Sequence, residues 1–158
     1  MTRTCEACRL TNGDLELPGG RVFQTTHWVV EHCIGALGVG TLIVKPFRHK
    51  VHLSDLRVEE TAELGPLLQR TAQVIQVLAA ADQVYACLWS HAGWEPVHIH
   101  FVLQPARNVL RGRYPGPGPL LQASMFAADE RLDPRAVEEF CDQARHALQV
   151  EPPSLVTR

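Results

Sequence analysis

The sequence predicts an α+β domain in which an antiparallel sheet is flanked by a long helix and followed by a C-terminal helix. Two observations support this class. Runs rich in β-branched and aromatic residues occur at 21–24, 26–31, 40–46, 83–90 and 96–105, with turn-forming residues between them. Between the third and fourth runs, apolar residues recur at the spacing of one long helix.

The length predicts a single domain. A chain of 158 residues can bury one hydrophobic core without support from disulfides. We expect that domain to cover residues 1–150, and residues 151–158 to form a frayed tail.

Composition excludes several classes of partner. The net charge is -2, so the chain has no general attraction for nucleic acid. Its longest apolar runs, such as residues 35–44, are too short and too interrupted by glycine to cross a bilayer, and no signal-like segment follows Met1. The 5 cysteines lack a disulfide-framework spacing, which fits a reducing compartment. We therefore expect a cytoplasmic protein that binds neither membrane nor nucleic acid.

The first third of the chain predicts turns and then strands. Cys5 and Cys8 lie in a short polar start, and turn sequences follow at residues 11–14 and 18–20. Strands are expected over residues 21–24 and 26–31. The apolar run at 40–46 ends in proline, which predicts a buried strand that stops there, followed by a loop over residues 47–52.

The longest helix is predicted to begin near Ser54 and Asp55, which can cap its first turn, and to end at Ala81. Gly65 and Pro66 should kink or divide it, because proline cannot donate the helical hydrogen bond. The apolar face consists of Leu56, Leu64, Leu67, Leu68, Ile75 and Leu78.

The run from residue 96 to 105 alternates like a strand and carries two histidines on one face. The inner face is apolar and consists of Val97, Ile99, Phe101 and Leu103. The opposite face consists of His98, His100, Val102 and Gln104. The two histidines are about 7 Å apart on a strand, and neutral imidazole is a base, a nucleophile or a metal ligand near pH 7. This favours a chemical site over a purely structural pair. A turn at residues 92–93 should pair this strand with the run at 83–90.

The last third of the chain predicts a surface loop and a helix. Residues 105–119 are too rich in proline and glycine for regular structure. Asp133 can cap the final helix, with Pro134 in its first position. Its apolar stripe, which suits the core or a dimer contact, consists of Val137, Phe140, Ala144 and Leu148.

Cys5 and Cys8 have a spacing that lets one tight turn deliver two thiolates to zinc, and two imidazoles could complete the site. Histidines near strand ends, such as His49, His52, His91 and His98, are available for this. A redox dithiol and accidental surface thiols are the alternatives.

Four motifs together resemble the histidine triad superfamily. They are the Cys-x-x-Cys at 5–8, GTLIVKPFRH at 40–49, LSDL at 53–56 before the long helix, and VHIH at 97–100. The resemblance runs from Cys5 to about Pro105. It implies a structural zinc ion held by Cys5, Cys8, His49 and His98. It also implies that His100 is a nucleophile that attacks a nucleotide α-phosphorus, and that the protein is a homodimer.

The sequence departs from the family pattern, so it resembles a divergent member of the superfamily. Val102 stands where the family has its third histidine or a glutamine, so a general acid is missing there. Gln104, His91 or an arginine is a candidate to replace it. The family's phosphate-binding lead-in is GWEP at residues 93–96 in this chain. The ribose-binding acid falls near Glu31.

Two weaker candidates complete the predicted site. Trp94 lies in the turn beside the histidines and could stack on a base. Arg107, in the loop after the motif, could bind phosphate or could simply be a solvated charge. Trp28 and Trp89 lie in strand-like runs, where packing in the core is expected.

The sequence therefore predicts a nucleotide hydrolase or nucleotidyltransferase that acts on a phosphoanhydride or phosphoramidate through a nucleotidyl-histidine intermediate at His100. The first alternative is a nucleotide-binding module with weak or no activity, which Val102 favours. The second is a catalytic metal held by both His98 and His100.

Overall fold

The computed structural model describes residues 5–90 and 98–150. The elements in chain order are α1 (Glu6–Asn12), β1 (Arg21–Gln24), β2 (Trp28–His32), β3 (Leu42–Pro46), a 3-10 turn (Leu53–Asp55), α2 (Val58–Leu78), β4 (Gln83–Trp89), β5 (His100–Ala106), α3 (Asn108–Arg111), α4 (Pro119–Ala128) and α5 (Pro134–Gln149). The predicted α+β class is confirmed.

The sheet has five strands in the order β1-β2-β3-β5-β4, and every neighbouring pair is antiparallel. The expected pairing of the fourth run with the histidine run is therefore confirmed. In the register of β4 with β5, Trp89 lies opposite His100. The turn predicted at residues 92–93 lies outside the described residues.

Each face of the sheet is covered by helices. The main core lies between one face and helices α2 and α5, and its largest members are Trp28, Leu42, Ile75, Leu103, Phe140 and Leu148. A second, smaller cluster covers part of the other face, under the C-terminal segment, and consists of Leu37, Val102, Ala106, Tyr114, Leu121 and Met125. The alternation of strand residues decides which side chain enters which cluster.

Helix α2 differs from its prediction at both ends and in the middle. It begins at Val58, because the backbone N–H of Arg57 donates to Glu60 Oε2 at 2.7 Å, and Ser54 and Asp55 lie in the 3-10 turn before it. It runs without interruption past Pro66 to Leu78. The helix continues through Pro66 because its inner side, at Leu67, Thr71 and Ile75, is buried.

Three helices are absent from the sequence predictions. Residues 6–12 form α1 rather than a turn, and Gly13 ends it with φ at 80° and an N–H bond to the carbonyls of Arg9 and Leu10. Within the region predicted to be irregular, residues 108–111 form α3, and α4 begins at Pro119. These helices are too short or too closely flanked by breakers to show a period in the sequence.

Helix α5 agrees with its prediction, and the strand that carries His100 agrees in part. The Asp133 side chain accepts a hydrogen bond from the N–H of Arg135 at 3.0 Å, which confirms the predicted cap of α5, and its predicted apolar stripe is buried. Strand β5, however, begins at His100, so His98 lies just before the strand. Within the described residues, no helix is long and apolar enough to cross a membrane.

The buried Glu60 carboxylate predicts a pH dependence of stability. Arg48 donates two hydrogen bonds to it at 2.6 and 2.7 Å, and chiefly for this reason the pKa of Glu60 falls from 4.5 to about 2. A lowered pKa stabilises the fold above pH 4.5, and this contribution is lost as the pH falls from 4.5 towards 2. We expect Glu60→Gln to lower the free energy of unfolding at pH 7 by about 1–3 kcal/mol. The free energy of unfolding of this variant should also depend less on pH in the acid limb, below pH 4.5.

Urea denaturation at several pH values measures this effect. The matched control is Glu59→Gln, which changes the exposed neighbour on the same turn. Equal acid limbs for wild type and Glu60→Gln would contradict the assignment.

Candidate functional site

The structure brings Cys5, Cys8, His49 and His98 together from three segments. One ligand atom of each lies within 4.8 Å of all the others. Cys8 Sγ is 3.5 Å from His49 Nδ1 and 3.4 Å from His98 Nδ1, and Cys5 Sγ is 3.9 Å from His98 Nδ1. In a tetrahedral zinc site with ordinary bond lengths, a sulfur and a nitrogen are about 3.6 Å apart. The donor types and their spacing therefore fit a zinc ion.

The ring of His98 is oriented by the backbone of β3. Its Nε2 donates to the carbonyl of Pro46 at 2.8 Å, so its Nδ1 carries the lone pair that faces the two sulfurs. Burial chiefly, with the nearby charges of His49 and Lys45, lowers the pKa of His98 to about 4. This imidazole is neutral at pH 7, which is the form that binds a metal.

The thiol of Cys8 needs a cation to become a ligand. Burial, with the neighbouring Cys5, raises the pKa of Cys8 to about 11. Because metals bind the thiolate, a metal that enters the cluster must displace this proton. A buried pair of cysteines beside two imidazoles is chemically suited to zinc and gives no support to the redox alternative.

A buried ion pair lies beneath α1 and holds it against the sheet. Lys45 Nζ is 2.5 Å from Glu31 Oε2 and donates to the carbonyl of Ala7 at 2.9 Å. The hydroxyl of Thr11 donates to Glu31 Oε1 at 3.3 Å. Both charged residues are 2% exposed. Glu31 therefore has its partners inside the protein, and the expected contact with a ribose is not supported.

His100 begins β5 and has one defined tautomer. Its Nδ1 lies 2.9 Å from the carbonyl of His98, to which it donates, so Nε2 carries the lone pair. The side chain is half-buried. A neutral imidazole oriented in this way can act as a nucleophile or a base. The described metal-binding group contains His98 but not His100, so a metal shared by both histidines is not favoured.

Val102 and Gln104 lie inside the second cluster rather than in an open site. Val102 is 1% exposed and Gln104 is 0% exposed. The Gln104 amide donates to the carbonyl of Leu37 at 3.0 Å and contacts the sulfur of Met125. Gln104 is therefore enclosed by other residues of the protein, and its contact with a nucleotide stays a prediction. The sequence suggests an open face because it does not predict α4, which covers it.

The remaining predicted residues are distant or undescribed. Arg107 is exposed and follows β5, about 23 Å along the strand from His100 at 3.3 Å per residue. A phosphate held at His100 is out of its reach. Trp94, His91 and Glu95 lie outside the described residues.

Sequence reasoning missed Trp89 and Gln122. Trp89 was expected in the core, but it is half-buried and its ring centroid is 6.3 Å from that of His100. Its indole N–H donates to the Gln122 side chain at 2.8 Å. The predicted pairing of the two strands was the available signal for Trp89, since residues opposite each other share a face. Nothing in the sequence pointed to Gln122.

Comparison with known proteins identifies the fold. No protein-family model and no curated protein matches the chain. Among solved structures, a zinc-bound histidine triad family protein from Mycobacterium smegmatis is similar, with a TM-score of 0.65 and 23% identity over 92% of this chain and 93% of that one.

Two further structures agree. A Hit-like protein involved in cell-cycle regulation from Bartonella henselae has a TM-score of 0.67 at 18% identity, over 88% of this chain and 92% of its own. A hypothetical histidine triad nucleotide-binding protein from Sulfolobus tokodaii has a TM-score of 0.68 at 16% identity, over 92% of each chain. The chain therefore has the histidine triad fold, as its motifs suggested.

The ion pair beneath α1 predicts an asymmetric effect of mutation. Lys45→Met leaves the Glu31 carboxylate buried without its cation, and we expect a loss of about 3–5 kcal/mol in the free energy of unfolding. The double variant Glu31→Gln/Lys45→Met removes both charges and should lose less. Urea denaturation at pH 7 measures both, and a double variant no more stable than Lys45→Met would contradict the pairing.

Proposed function

We propose that the chain is a zinc-stabilised nucleotide hydrolase or nucleotidyltransferase that acts on a phosphoanhydride or phosphoramidate. One observation carries the proposal: the carbonyl of His98, whose ring faces the two cysteines, accepts the hydrogen bond that orients His100. The four candidate zinc ligands and the proposed nucleophile are thus joined through one residue, His98. The fold supports the proposal, because similar structures include one described as zinc-bound and one described as nucleotide-binding.

Zinc has a structural role in this proposal. Bound by Cys5, Cys8, His49 and His98, it would fasten α1 to the segment that precedes β5. These four residues would supply all the ligands of a structural zinc site, so the ion would not bind substrate. The residues of the chain itself do the chemistry.

His100 is the proposed nucleophile. Its Nε2 lone pair forms an N–P bond to the α-phosphorus, while the P–O or P–N bond to the leaving group breaks and the electron pair departs with that group. Water then attacks the same phosphorus. The N–P bond breaks, its electron pair returns to Nε2, and a nucleoside monophosphate and a proton are released. An alcohol or phosphate acceptor in place of water gives the transferase reaction.

Val102 limits the reaction. A valine cannot protonate a leaving group, and the described residues place no acid in its position. Substrates whose leaving group departs without protonation are therefore favoured, and a missing general acid reduces the rate by roughly 10²- to 10⁴-fold. The second candidate function, a nucleotide-binding module without turnover, is favoured by this residue.

A homodimer and a cytoplasmic location stay predictions.

The zinc proposal predicts one metal ion per chain. We expect Cys8→Ser to lose most of the bound zinc and to melt at a clearly lower temperature, because a structural zinc contributes on the order of 10 kcal/mol in small domains. Elemental analysis and thermal melting of the purified protein measure the two effects. Cys87→Ser on β4 is the matched control and should keep its zinc. Wild-type protein purified without any zinc would overturn the proposal.

The nucleophile predicts a covalent adduct. Intact mass measured soon after mixing with a nucleoside phosphoramidate should show a species heavier by one nucleotidyl group. His100→Gln should abolish it and keep the zinc, whereas His146→Gln, which changes an exposed histidine of α5, should retain it. An adduct on His100→Gln would exclude this nucleophile. Nucleotide binding without adduct or turnover in wild type would favour the binding module.

A further inference from the structure

Trp89 is positioned as a wall of the His100 site. It is the last residue of β4 and lies opposite His100 in the strand register. The two ring centroids are 6.3 Å apart, and the ring planes are inclined by 36°. Trp89 is half-buried, so part of this residue is exposed.

Helix α4 determines the orientation of this indole. The Nε1 of Trp89 donates to Gln122 Oε1 at 2.8 Å, and Gln122 Nε2 donates to the carbonyl of Val102 at 3.5 Å. Gln122 is 0% exposed, so it is held rigidly between the helix and the sheet. A rigid aromatic ring loses little conformational entropy when a ligand packs on it.

A second aromatic side chain extends the wall. The ring of Phe126, also on α4, is 5.8 Å from that of Trp89 in an edge arrangement. Phe126 is 54% exposed, which is high for a phenylalanine. Its ring edge lies against Gly35 in the loop after β2, where a Cβ would be 3.6 Å away. Trp89 and Phe126 therefore form an apolar ledge that begins beside His100.

The opposite side of His100 is already occupied. Lys45 and Glu31 lie on the same sheet face, on the β3 side of β5, and α1 covers them. A planar group of a ligand held at His100 would therefore have to lie towards β4 and α4, where the ledge is. The ledge carries no charge, so it suits the ring of a ligand rather than its phosphate.

We propose that Trp89 is the stacking platform for the nucleobase and that Gln122 is the positioning residue that holds it. This inference rests on the proposed function, in which the ligand is a nucleotide. Every base presents a π-face, so such a platform tolerates different bases and favours the larger purines. Trp89 thereby takes the role that the sequence assigned to Trp94.

The experiment separates the base from the phosphate. Calorimetric titrations compare AMP with ribose 5-phosphate, which has the same phosphate and sugar without a base. Wild type should bind AMP at least about 5-fold more tightly than ribose 5-phosphate. Trp89→Leu should weaken AMP binding by about 5- to 150-fold and leave ribose 5-phosphate binding unchanged, and Trp89→Phe should retain most of the affinity.

Fluorescence tests the role of Gln122. AMP should quench tryptophan emission in wild type and in Trp28→Phe, a control that removes a fully buried tryptophan on the other sheet face. The quenching should disappear in Trp89→Leu. Gln122→Met removes the acceptor but not the indole, and should weaken AMP binding and quenching while ribose 5-phosphate binds as before.

Each contrary outcome has a distinct meaning. Equal affinity of wild type for AMP and ribose 5-phosphate overturns the stacking role of Trp89 before any variant is measured. The proposed function stands in that case, because the phosphate still binds. Unchanged AMP binding by Trp89→Leu, or an equal loss of both ligands, also overturns it. Failure of wild type to bind either ligand overturns the proposed function and the platform together.

Discussion

The ion pair between Glu31 and Lys45 is the constraint on which the arrangement of the site depends. Both charges are 2% exposed, and each is satisfied by groups of α1. Two buried charges are tolerated only when they are paired and hydrogen-bonded, so this pair specifies where α1 must lie. Since α1 carries Cys8 and is preceded by Cys5, the position of the thiols follows from a contact made elsewhere on the helix.

His98 connects the two thiols to His100, the proposed nucleophile. Its ring bridges the sulfurs and the carbonyl of Pro46, and its own carbonyl orients His100. Each nitrogen of His98 therefore has one role, and the tautomer of His100 is determined by a backbone group that cannot rotate away. A metal at the cysteines would make this chain of contacts more rigid without taking part in the reaction.

The C-terminal segment covers part of the sheet face that carries His100. Helix α4 covers the sheet face beyond His100, so Val102 and Gln104 are buried between that helix and the sheet. The same helix holds Trp89 beside His100. The burial of Val102 and the position of Trp89 beside His100 are thus two consequences of one packing arrangement.

The sequence by itself determined the strands and the cap and stripe of α5. These follow from short motifs and from alternation, which act within a few residues of the chain. The grouping of Cys5 and Cys8 with His49 and His98 came from the resemblance to the histidine triad superfamily. Only the tertiary structure decided that Glu31 pairs with Lys45, that Gln104 is buried and that Trp89 faces His100. Periodicity tells which face of a strand a side chain is on, but what covers that face depends on segments far away in sequence, such as α1 and α4. Those helices are stable through burial rather than through a local pattern, so the sequence did not reveal them.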